Sequence, residues 1–452
     1  MGSPAAPDLK NFLADVDDVP HTTDPRALRR RSRDFFWYSP VLNARLHGLV
    51  AEAALTPRDE ADVLRICAAA AKHRVPLTPQ GGRTGNYGQA VPLEGGALLD
   101  MSAISGIVSN RPGTARIRAG MKMDAIDAEL RPSGWELRMH PSTKRSATIG
   151  GFVAGGSGGV GSITYGGLRD PGNILSARIA TVEPKPRILE LRAQDAQKVT
   201  RAFGTTGIII DVEMATAPAY PWIDVIVAFD DFLDACAFGL DLTKSDGIVK
   251  KLATAVAWPL PQSFQEISAY CPNGASLIIA MIAEPSMETF RARLAGCGTM
   301  TYEAPTCEGP GETPLYEFCW NHTTLHMLKQ DRSVTYLQCL FPHDRLLETV
   351  RETVRRFGDE VPHHLEFSRY QGNPGASALP VVRYTDAARL DEIIAEFESL
   401  GVMVANPHVF TLEDGSRYRR ADADQLGFKA EVDPFGLLNP GKMRSYVPRD
   451  TA

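Results

Sequence analysis

The chain has 452 residues, of which 44% are hydrophobic and 23% are charged, an ordinary composition for a globular protein. This length exceeds what one hydrophobic core usually supports, so at least two domains are expected. A net charge of −6, with no basic run beyond residues 29–31, argues against nucleic-acid binding. No segment approaches the ~20 apolar residues of a transmembrane helix, and residues 1–10 do not resemble a signal peptide, so we expect a cytoplasmic protein.

The seven cysteines are scattered through the chain and form no C-x-x-C pair. A thiolate zinc site or the disulfide framework of a small domain needs closely spaced cysteines. Neither feature is therefore expected here.

The first half of the chain mixes short predicted strands with helices. Residues 1–48 form an N-terminal arm, and its apolar patch, Phe35 to Tyr38, is interpreted as packing on the main body, with a substrate-contacting role as the alternative. Thr56, followed by Pro57 and acidic residues, predicts a helix start with Thr56 as the N-cap. Alternating or short apolar runs predict strands at 49–55, 75–79, 97–101, 114–120, 176–182, 188–191 and 207–214.

Beyond Pro218 the composition changes, because prolines become frequent and predicted strands alternate with amphipathic helices. The pattern predicts strands at 223–229, 275–283 and 334–341, and helices at 344–357 and 386–400. We therefore expect a second domain over residues 219–405 and treat 406–452 as a separate C-terminal segment.

A first glycine-rich stretch, residues 80–89, follows a predicted strand and reads QGGRTGNYGQ. Glycines without a Cβ let successive backbone N–H groups point into one concavity, which is how a loop holds a phosphate. Thr84, Asn86 and Gln89 add polar side chains. The alternative is a tight surface turn, but a turn does not need this many glycines and polar groups.

A second stretch, residues 148–167, contains nine glycines between Gly150 and Gly167. This density is incompatible with a long helix, since each interior glycine costs roughly 0.5–1 kcal/mol relative to alanine. Neither stretch has the Gly-Lys-Ser/Thr ending of a P-loop, and neither offers the dinucleotide fingerprint in its required context, a G-x-G-x-x-G that opens a long helix. Such a chain can lie along an extended ligand and contact it with backbone amides.

Four motifs together resemble the vanillyl-alcohol-oxidase/PCMH-type FAD family. They are QGGRTG at 80–85, HPST at 140–143 leading into ATIGGFVAGGSGG at 147–159, FGTTGII at 203–209, and DPFGLLNPGK at 433–442. Their spacing is most similar to the D-lactate/glycolate dehydrogenase branch. The resemblance implies an α+β fold with a two-subdomain PCMH-type FAD-binding domain at 49–218. It also implies an α+β substrate or cap domain with an antiparallel sheet at 219–405, and a C-terminal segment that returns to the FAD domain.

The resemblance also implies which residues contact FAD. The first loop would meet the pyrophosphate, the second stretch the ribityl chain and flavin ring, and a later strand the adenine, while Lys442 could place positive charge near the flavin pyrimidine. The predicted cofactor-binding residues are Pro79, Gln80, Gly81, Gly82, Arg83, Thr84, Gly85, Asn86, Pro141, Ser142, Thr143, Thr148, Gly150, Gly151, Ala154, Gly155, Gly156, Ser157, Gly158, Gly161, Ser162, Tyr165, Gly207, Ile208, Ile209, Asn439 and Lys442.

Two departures from the family carry predictions. Relatives often attach FAD covalently through a histidine in the first loop and a cysteine in the second stretch, but this chain has neither there. We therefore predict non-covalent FAD, with a link from a distal histidine such as His408 as the alternative. The His-x-Gly-Asp-x-Asn-x-His and Glu-His-Gly strings of the branch's metal site are also missing, so no metal is predicted, although metal binding by His364 and Glu366 is left open.

The catalytic group should be a base that takes a proton from the substrate while flavin accepts the hydride. His408 is the first candidate, because the chain re-enters the flavin domain there. His364 and Glu366 would share one face of a strand, and Arg383 could bind a carboxylate. His322 and His326 would share one face of a helix, where they could line a pocket, bind a metal or simply be structural.

The leading functional hypothesis is an FAD-dependent oxidase or dehydrogenase that acts on the CH–OH group of a small 2-hydroxy acid or alcohol. One alternative is an aromatic or phenolic alcohol oxidase, with Tyr270, Tyr302 and Trp320 as pocket walls. Another is a non-catalytic flavin- or nucleotide-binding protein. The expected partners are a small-molecule substrate and an electron acceptor, either oxygen or a quinone, cytochrome or flavoprotein, and a homodimer is left open.

Overall fold

A computed structural model describes residues 7–156, 158–309, 311–415 and 423–448. The N-terminal arm contains three short helices, each with a polar N-cap side chain that accepts from its first turn. Within the described ranges, no helix is long and apolar enough to cross a membrane. The three helices are Leu9–Asp15, Pro25–Arg31 and Pro40–Leu46.

The first subdomain is a four-stranded sheet in which three strands are parallel and one edge strand is antiparallel. Its helix, Glu60–His73, begins one turn later than the predicted Thr56 start, because the Asp59 side chain is the N-cap and accepts from Asp62 N at 2.9 Å. The prediction of Thr56 as the N-cap is therefore wrong. The strands, in spatial order, are His21–Thr22, Ala53–Leu55, Ala97–Asp100 and Leu77–Gln80.

The second subdomain is built on an antiparallel sheet that is centred on the long strand Ile208–Pro218. Its helices are short wherever glycines are dense, as expected from the cost of glycine in a helix. The other strands are Ile107–Arg111, Thr114–Arg118, Trp135–Leu137, Ile174–Ala180 and Ile188–Arg192, and the helices are Met123–Leu130, Ile149–Gly155 and Ser162–Tyr165.

The cap is one eight-stranded antiparallel sheet with both faces covered. Alternate residues of its strands enter two different cores: Val225 and Val227 enter one, and Ile226 the other. The strands in order are Thr299–Pro305, Trp222–Phe229, Ser276–Ala283, Lys250–Val256, His364–Tyr370, Asn373–Ala378, Cys339–Leu340 and Met403–Val404.

Helices cover the two faces of the cap sheet unequally. Four helices contribute to the larger core, and one, Asn321–Gln330, lies over the other face through Met327. A separate two-stranded sheet joins Val334–Tyr336 to Val381–Arg383. The four helices of the larger core are Phe232–Lys244, Met287–Leu294, Leu346–Phe357 and Ala387–Ser399.

Buried contacts join the cap to the second subdomain. Gly161 N donates to Lys251 O at 2.7 Å, and the Thr164 hydroxyl donates to Lys250 O at 2.7 Å. The Lys251 ammonium also pairs with Glu136 at 2.6 Å, with both side chains almost fully buried. Removing one member of such a pair leaves an uncompensated buried charge, so this contact fixes the cap relative to the glycine-rich stretch.

The C-terminal segment returns to the first subdomain after the helix Ala423–Val432. The Asp433 carboxylate accepts from Leu437 N at 2.9 Å and Leu438 N at 2.7 Å. Leu438 bridges Leu77 in parallel, at the strand that leads into the first glycine-rich loop. The DPFGLLNPGK motif is thus a structural joint that supports this loop from behind.

Candidate active site

One cavity of about 860 Å³ lies where the first and second subdomains meet the cap. Its volume falls within the usual range for sites that enclose a small molecule or cofactor. Most of the residues predicted to bind the cofactor line it: Pro79, Gln80, Gly81, Gly82, Arg83, Thr84, Gly85, Asn86, Pro141, Ser142, Thr143, Thr148, Gly150, Gly151, Ala154, Gly155, Gly156, Gly158, Ser162, Gly207, Ile208 and Ile209.

The two glycine-rich stretches pack directly against each other on the floor of the cavity. A Cβ placed on Gly81 would lie 2.0 Å from Thr148 Oγ1, and one on Gly82 would lie 2.0 Å from the backbone oxygen of Ser146. Only glycine fits these two positions. The packing leaves a surface of backbone groups with few side chains, which is the form of cradle that an extended nucleotide cofactor needs.

Side-chain hydrogen bonds fix the shape of the first loop. The Gln80 amide donates to Arg31 O at 2.9 Å and to Ala90 O at 2.7 Å. The Tyr87 hydroxyl donates to Gln338 of the cap, so the loop is also joined to the other wall of the cavity. The loop conformation is therefore set by contacts from three parts of the chain.

Four predicted cofactor residues lie behind the lining. Gly161 contacts the backbone of Arg138, and the Tyr165 ring lies under the Arg138 guanidinium at 5.3 Å. Asn439 donates to Gln89 O at 2.8 Å and to Phe203 O at 2.6 Å, which ties two loops together. Lys442 is the fourth, and Ser157 lies outside the described residues.

The Lys442 ammonium is fully buried and donates to Gly88 O at 2.5 Å. Asp34, which does line the cavity, interacts electrostatically with it. Burial lowers the pKa of Lys442 and raises the pKa of Asp34, because each charged form loses its hydration. Lys442 thus supports the first loop from below, and its predicted role beside the flavin stays a prediction.

The cap contributes the opposite wall of the cavity, including the start of helix Asn321–Gln330. Trp320, Asn321 and His322 line the cavity together. Among the described residues that line the cavity, His322 is the one histidine, and burial lowers its pKa to about 4. Its imidazole is therefore neutral at neutral pH and able to accept a proton.

His364 and Glu366 lie directly behind this wall and do not line the cavity. Both are fully buried, and His364 Nε2 donates to Glu366 Oε1 at 2.7 Å. The same carboxylate accepts from Trp320 N at 2.5 Å and from the Thr254 hydroxyl at 2.6 Å. The predicted pair of imidazole and carboxylate is present, and it supports the backbone of Trp320 from behind the cavity wall.

His408 and Arg383 are also away from the cavity lining. His408 is buried between Ser39, at 2.7 Å from Nδ1, and the backbone oxygen of Tyr336, at 3.0 Å from Nε2. Burial lowers the pKa of His408 to about 4. Arg383 donates to Asp359 O at 2.9 Å and pairs with Asp331. The catalytic roles predicted for these two residues stay predictions that the cavity geometry does not support.

Several lining residues were not among those predicted. Phe35 and Tyr38 reach the cavity from the N-terminal arm, whose aromatic patch was interpreted as packing on the main body, with substrate contact as the alternative. Arg169 lines the same cavity, and its guanidinium has no hydrogen-bond or ion-pair partner among the described residues. Arg369 also lines the cavity, but its guanidinium donates to Thr243 O at 2.9 Å and pairs with Asp246. The four consecutive aromatic residues at 35–38 could have indicated a contact with the cavity. Nothing in the local sequence distinguished Arg169 from other surface arginines.

The residues proposed for an aromatic pocket do not come together. Trp320 lines the cavity, but Tyr270 and Tyr302 pack on each other away from it, with ring centroids 4.7 Å apart. In the described chain, no group of three His, Cys, Asp or Glu side chains is placed to hold a metal ion.

The fold and the cavity define a flavin-binding class of protein, and comparison with known families agrees. A family model described as an FAD binding domain matches residues 51–190, which include both glycine-rich stretches. The chain therefore contains an FAD-binding domain of this family, and FAD is its cofactor. The predicted FAD-binding domain and its cofactor are confirmed.

Individual relatives are named as dehydrogenases and an oxidase subunit, in agreement with the predicted class of enzyme. D-2-hydroxyglutarate dehydrogenase of Escherichia coli (strain K12) is 36% identical over 139 residues, which are 29% of this chain and 13% of that protein. Glycolate oxidase subunit GlcD of the same strain is 28% identical over 201 residues, 43% of this chain and 40% of that protein. D-lactate dehydrogenase of Anaerostipes hadrus is 26% identical over 41% of this chain and 40% of that protein. The chain thus matches less than half of each relative.

Solved structures confirm the predicted α+β fold class over nearly the whole chain. Alkyldihydroxyacetonephosphate synthase superposes with a TM-score of 0.71 at 16% identity, covering 98% of this chain and 86% of that one. A Physcomitrella patens BBE-like 1 variant superposes with a TM-score of 0.66 at 15% identity, covering 98% and 100% of the two chains. At these identities the likeness concerns the fold alone.

Proposed function

We propose that this protein is an FAD-dependent oxidoreductase that oxidises the CH–OH group of a small 2-hydroxy acid or related alcohol. The observation that carries the proposal is a cavity in which the two glycine-rich stretches face a cap wall that holds a neutral histidine. The names of the relatives, which are dehydrogenases and an oxidase subunit for hydroxy acids, support the same reaction class.

The cavity-lining residues fit an extended FAD. The first loop would hold the pyrophosphate through backbone N–H groups, the second stretch would contact the ribityl chain and ring, and Gly207 to Ile209 would contact the adenine. Bound FAD supplies an acceptor for the hydride of a substrate C–H bond. The protein supplies the position of that carbon and a site for the hydroxyl proton.

His322 is the group that we propose takes this proton. It lines the cavity, and its imidazole is held neutral because burial disfavours the charged form. A base must lie within hydrogen-bond reach of the proton that it removes, and His322 is the imidazole that reaches this cavity. Glu366 acts behind it as a positioning residue, through its hydrogen bond to Trp320 N.

We also propose that FAD is bound without a covalent link. Asn86 and Tyr87 occupy the first loop where relatives place a linking histidine, and the distal candidate His408 is engaged by Ser39 and Tyr336 away from the cavity. Precipitation of the purified protein with acid is expected to leave the yellow colour in the supernatant. Colour that stays with the pellet would contradict this prediction.

The reaction class is tested by anaerobic mixing of the yellow protein with a panel of lactate, glycolate, 2-hydroxyglutarate, propan-2-ol and benzyl alcohol. We expect the flavin absorbance to bleach with at least one hydroxy acid. Bleaching with benzyl alcohol alone would favour the aromatic alternative. Protein that stays yellow with the whole panel would refute the proposed substrate class and would favour a non-catalytic role.

A further inference from the structure

The N-terminal arm carries four exposed arginines that the proposed function does not use. Arg26, Arg29 and Arg30 lie on the helix Pro25–Arg31, where spacings of three and four residues place the latter two beside Arg26 on one face. Arg33 follows two residues after the helix ends, and all four residues are exposed. We call these four residues the arginine patch.

The arginine patch has no counter-charge on the protein. The neighbouring Arg31 pairs with Asp100 at 3.5 Å, but no guanidinium of the patch forms an ion pair or hydrogen bond with a described residue. The exposed Asp24 at the helix start serves as its N-cap and accepts from Ala27 N at 2.7 Å. Arginines on other helices are paired with carboxylates of the protein: Arg65, Arg291, Arg293, Arg355, Arg356 and Arg389.

The patch is therefore a local positive area on a chain whose net charge is −6. Such an area attracts an external anionic surface, while the rest of the protein is repelled by it. The result is that the protein would meet an anionic surface in one orientation, with the arm toward it.

An exposed tryptophan follows the arginine patch in the chain. Trp37 is 39% exposed, and its ring packs on the cavity-lining Phe35 and Tyr38, with ring centroids 6.3 Å and 4.6 Å away. Among the described residues of the arm, it is the one large hydrophobic residue that is exposed. Indole rings favour the headgroup level of a bilayer, because they are apolar with one polar N–H group. Arginines with a single exposed indole suit lipid headgroups better than a protein partner, since a protein interface has a buried apolar core.

The helix of the arginine patch is attached to the cavity wall. The backbone oxygen of Arg31, its last residue, accepts from the Gln80 side chain at 2.9 Å, and Gln80 lines the cavity. A helix of seven residues is about 10 Å long, so the patch lies close to the cavity. An anionic surface bound by the patch would therefore lie beside the proposed reaction site.

We propose that the N-terminal arm docks this protein on an anionic lipid surface, with the arginine patch binding lipid phosphate groups and Trp37 entering the headgroup layer. The docking is peripheral and electrostatic. The apolar side of the helix is buried in the protein through Leu28, which packs on Ala51 and Leu98, so the helix itself does not insert. The inference concerns the surface of the arm and does not depend on the proposed reaction.

The test is sedimentation of the FAD-loaded protein with vesicles made of equal parts of phosphatidylglycerol and phosphatidylcholine, and with vesicles of phosphatidylcholine alone. We expect binding to the anionic vesicles at low salt and none to the neutral vesicles. High salt should release the protein, because it screens exposed charges. Equal binding to both kinds of vesicle, or binding to neither, would overturn the proposal.

The principal variant replaces Arg26, Arg29, Arg30 and Arg33 together with glutamine, which keeps helix propensity and removes the charge. Each arginine near an anionic bilayer contributes about fivefold in affinity, so we expect a loss of roughly 10²–10³-fold. FAD content and the bleaching rate should stay those of the wild type. The matched control removes the same charge by replacing four exposed arginines elsewhere in the chain with glutamine: Arg111, Arg118, Arg332 and Arg351. Equal losses in the two variants would show that net charge alone governs binding and would overturn the role of the arm.

Trp37→Phe tests the indole and distinguishes a lipid surface from an acidic protein partner. We expect the anionic vesicles to shift the tryptophan fluorescence of the wild type to shorter wavelength, and the shift to be lost in Trp37→Phe. This variant also provides the test if the arginine variant fails to fold. Vesicle binding without the shift, and with unchanged affinity in Trp37→Phe, would indicate attraction by charge alone, as an acidic protein would provide, and would overturn the lipid assignment.

Discussion

Replacing His322 with asparagine is expected to lower kcat by roughly 10²–10⁴-fold, the usual contribution of a general base. Asparagine retains polarity and approximate size but cannot accept the substrate proton at neutral pH. FAD content and the visible spectrum should stay those of the wild type, because the glycine-rich stretches that we propose hold the cofactor are untouched. The measurement is the rate of anaerobic flavin bleaching with the most active hydroxy acid of the panel.

The matched control is His326→Gln, one helical turn further along. His326 bonds to the backbone oxygen of Glu317 at 3.1 Å and stacks on Phe318, and it does not line the cavity. Glutamine can keep the hydrogen bond to Glu317, so activity should change little. Equal losses in both variants would show that the helix, and not the His322 imidazole, is responsible.

The pH dependence gives an independent check on His322. Because burial lowers its pKa to about 4, the base stays unprotonated as the pH falls through 6.5, the ordinary value for histidine. The bleaching rate should therefore be flat through that range and decrease only toward pH 4. An acid limb centred near 6.5 would indicate a solvent-exposed histidine or another base.

Replacing Gly82 with alanine is expected to weaken FAD binding. The new Cβ would lie 2.0 Å from Ser146 O and 2.9 Å from Ser146 C, and these backbone atoms cannot rotate away. The first loop must then separate from the second stretch and change the shape of the cofactor cradle. Overpacking of this kind costs about 1–3 kcal/mol, which corresponds to a loss of affinity of about five- to 150-fold if it falls on the FAD-bound state. The measurement is the FAD-to-protein ratio and the Kd for FAD of the apoprotein.

The control for this variant is Gly247→Ala in the cap, where a Cβ meets nothing within 4 Å. Both variants add one methyl group, so only the position differs. Wild-type FAD affinity in Gly82→Ala would contradict the view that close packing of the two stretches shapes the cofactor site.

The glycine-rich stretches that line the cavity could be recognised in the sequence because their signal is local. The high glycine content of residues 148–167 goes with close backbone contacts inside this stretch and with neighbouring segments. One such neighbour is the first glycine-rich stretch, whose Gly81 packs against Thr148 on the cavity floor. The strands that present the loops also have short-range apolar patterns. The helix start at Glu60 was misplaced by one turn, since Asp59 competes with Thr56 as an N-cap.

The cap wall of the cavity could not be predicted, because its geometry involves residues far apart in sequence. The left-handed Trp320 donates its backbone N–H to Glu366 on a distant strand, and Trp320 and His322 line the cavity together. From the sequence, the pair His364 and Glu366 could be catalytic or structural with equal reason. Only the three-dimensional packing shows that this pair lies behind the cap wall of the cavity. The position of His408 away from the cavity lining is likewise visible only in the structure.

We propose above all that FAD bound in the cavity accepts hydride from a substrate carbon that carries a hydroxyl group. The most direct test of this proposal is anaerobic stopped-flow bleaching of the wild-type flavin with the active hydroxy acid and with the same compound deuterated at C2, both at saturating concentration. We expect complete bleaching by both, with a slower rate for the deuterated compound because the C–H bond breaks in the observed step. Flavin that stays oxidised, or bleaches at the same rate with both compounds, would contradict the account.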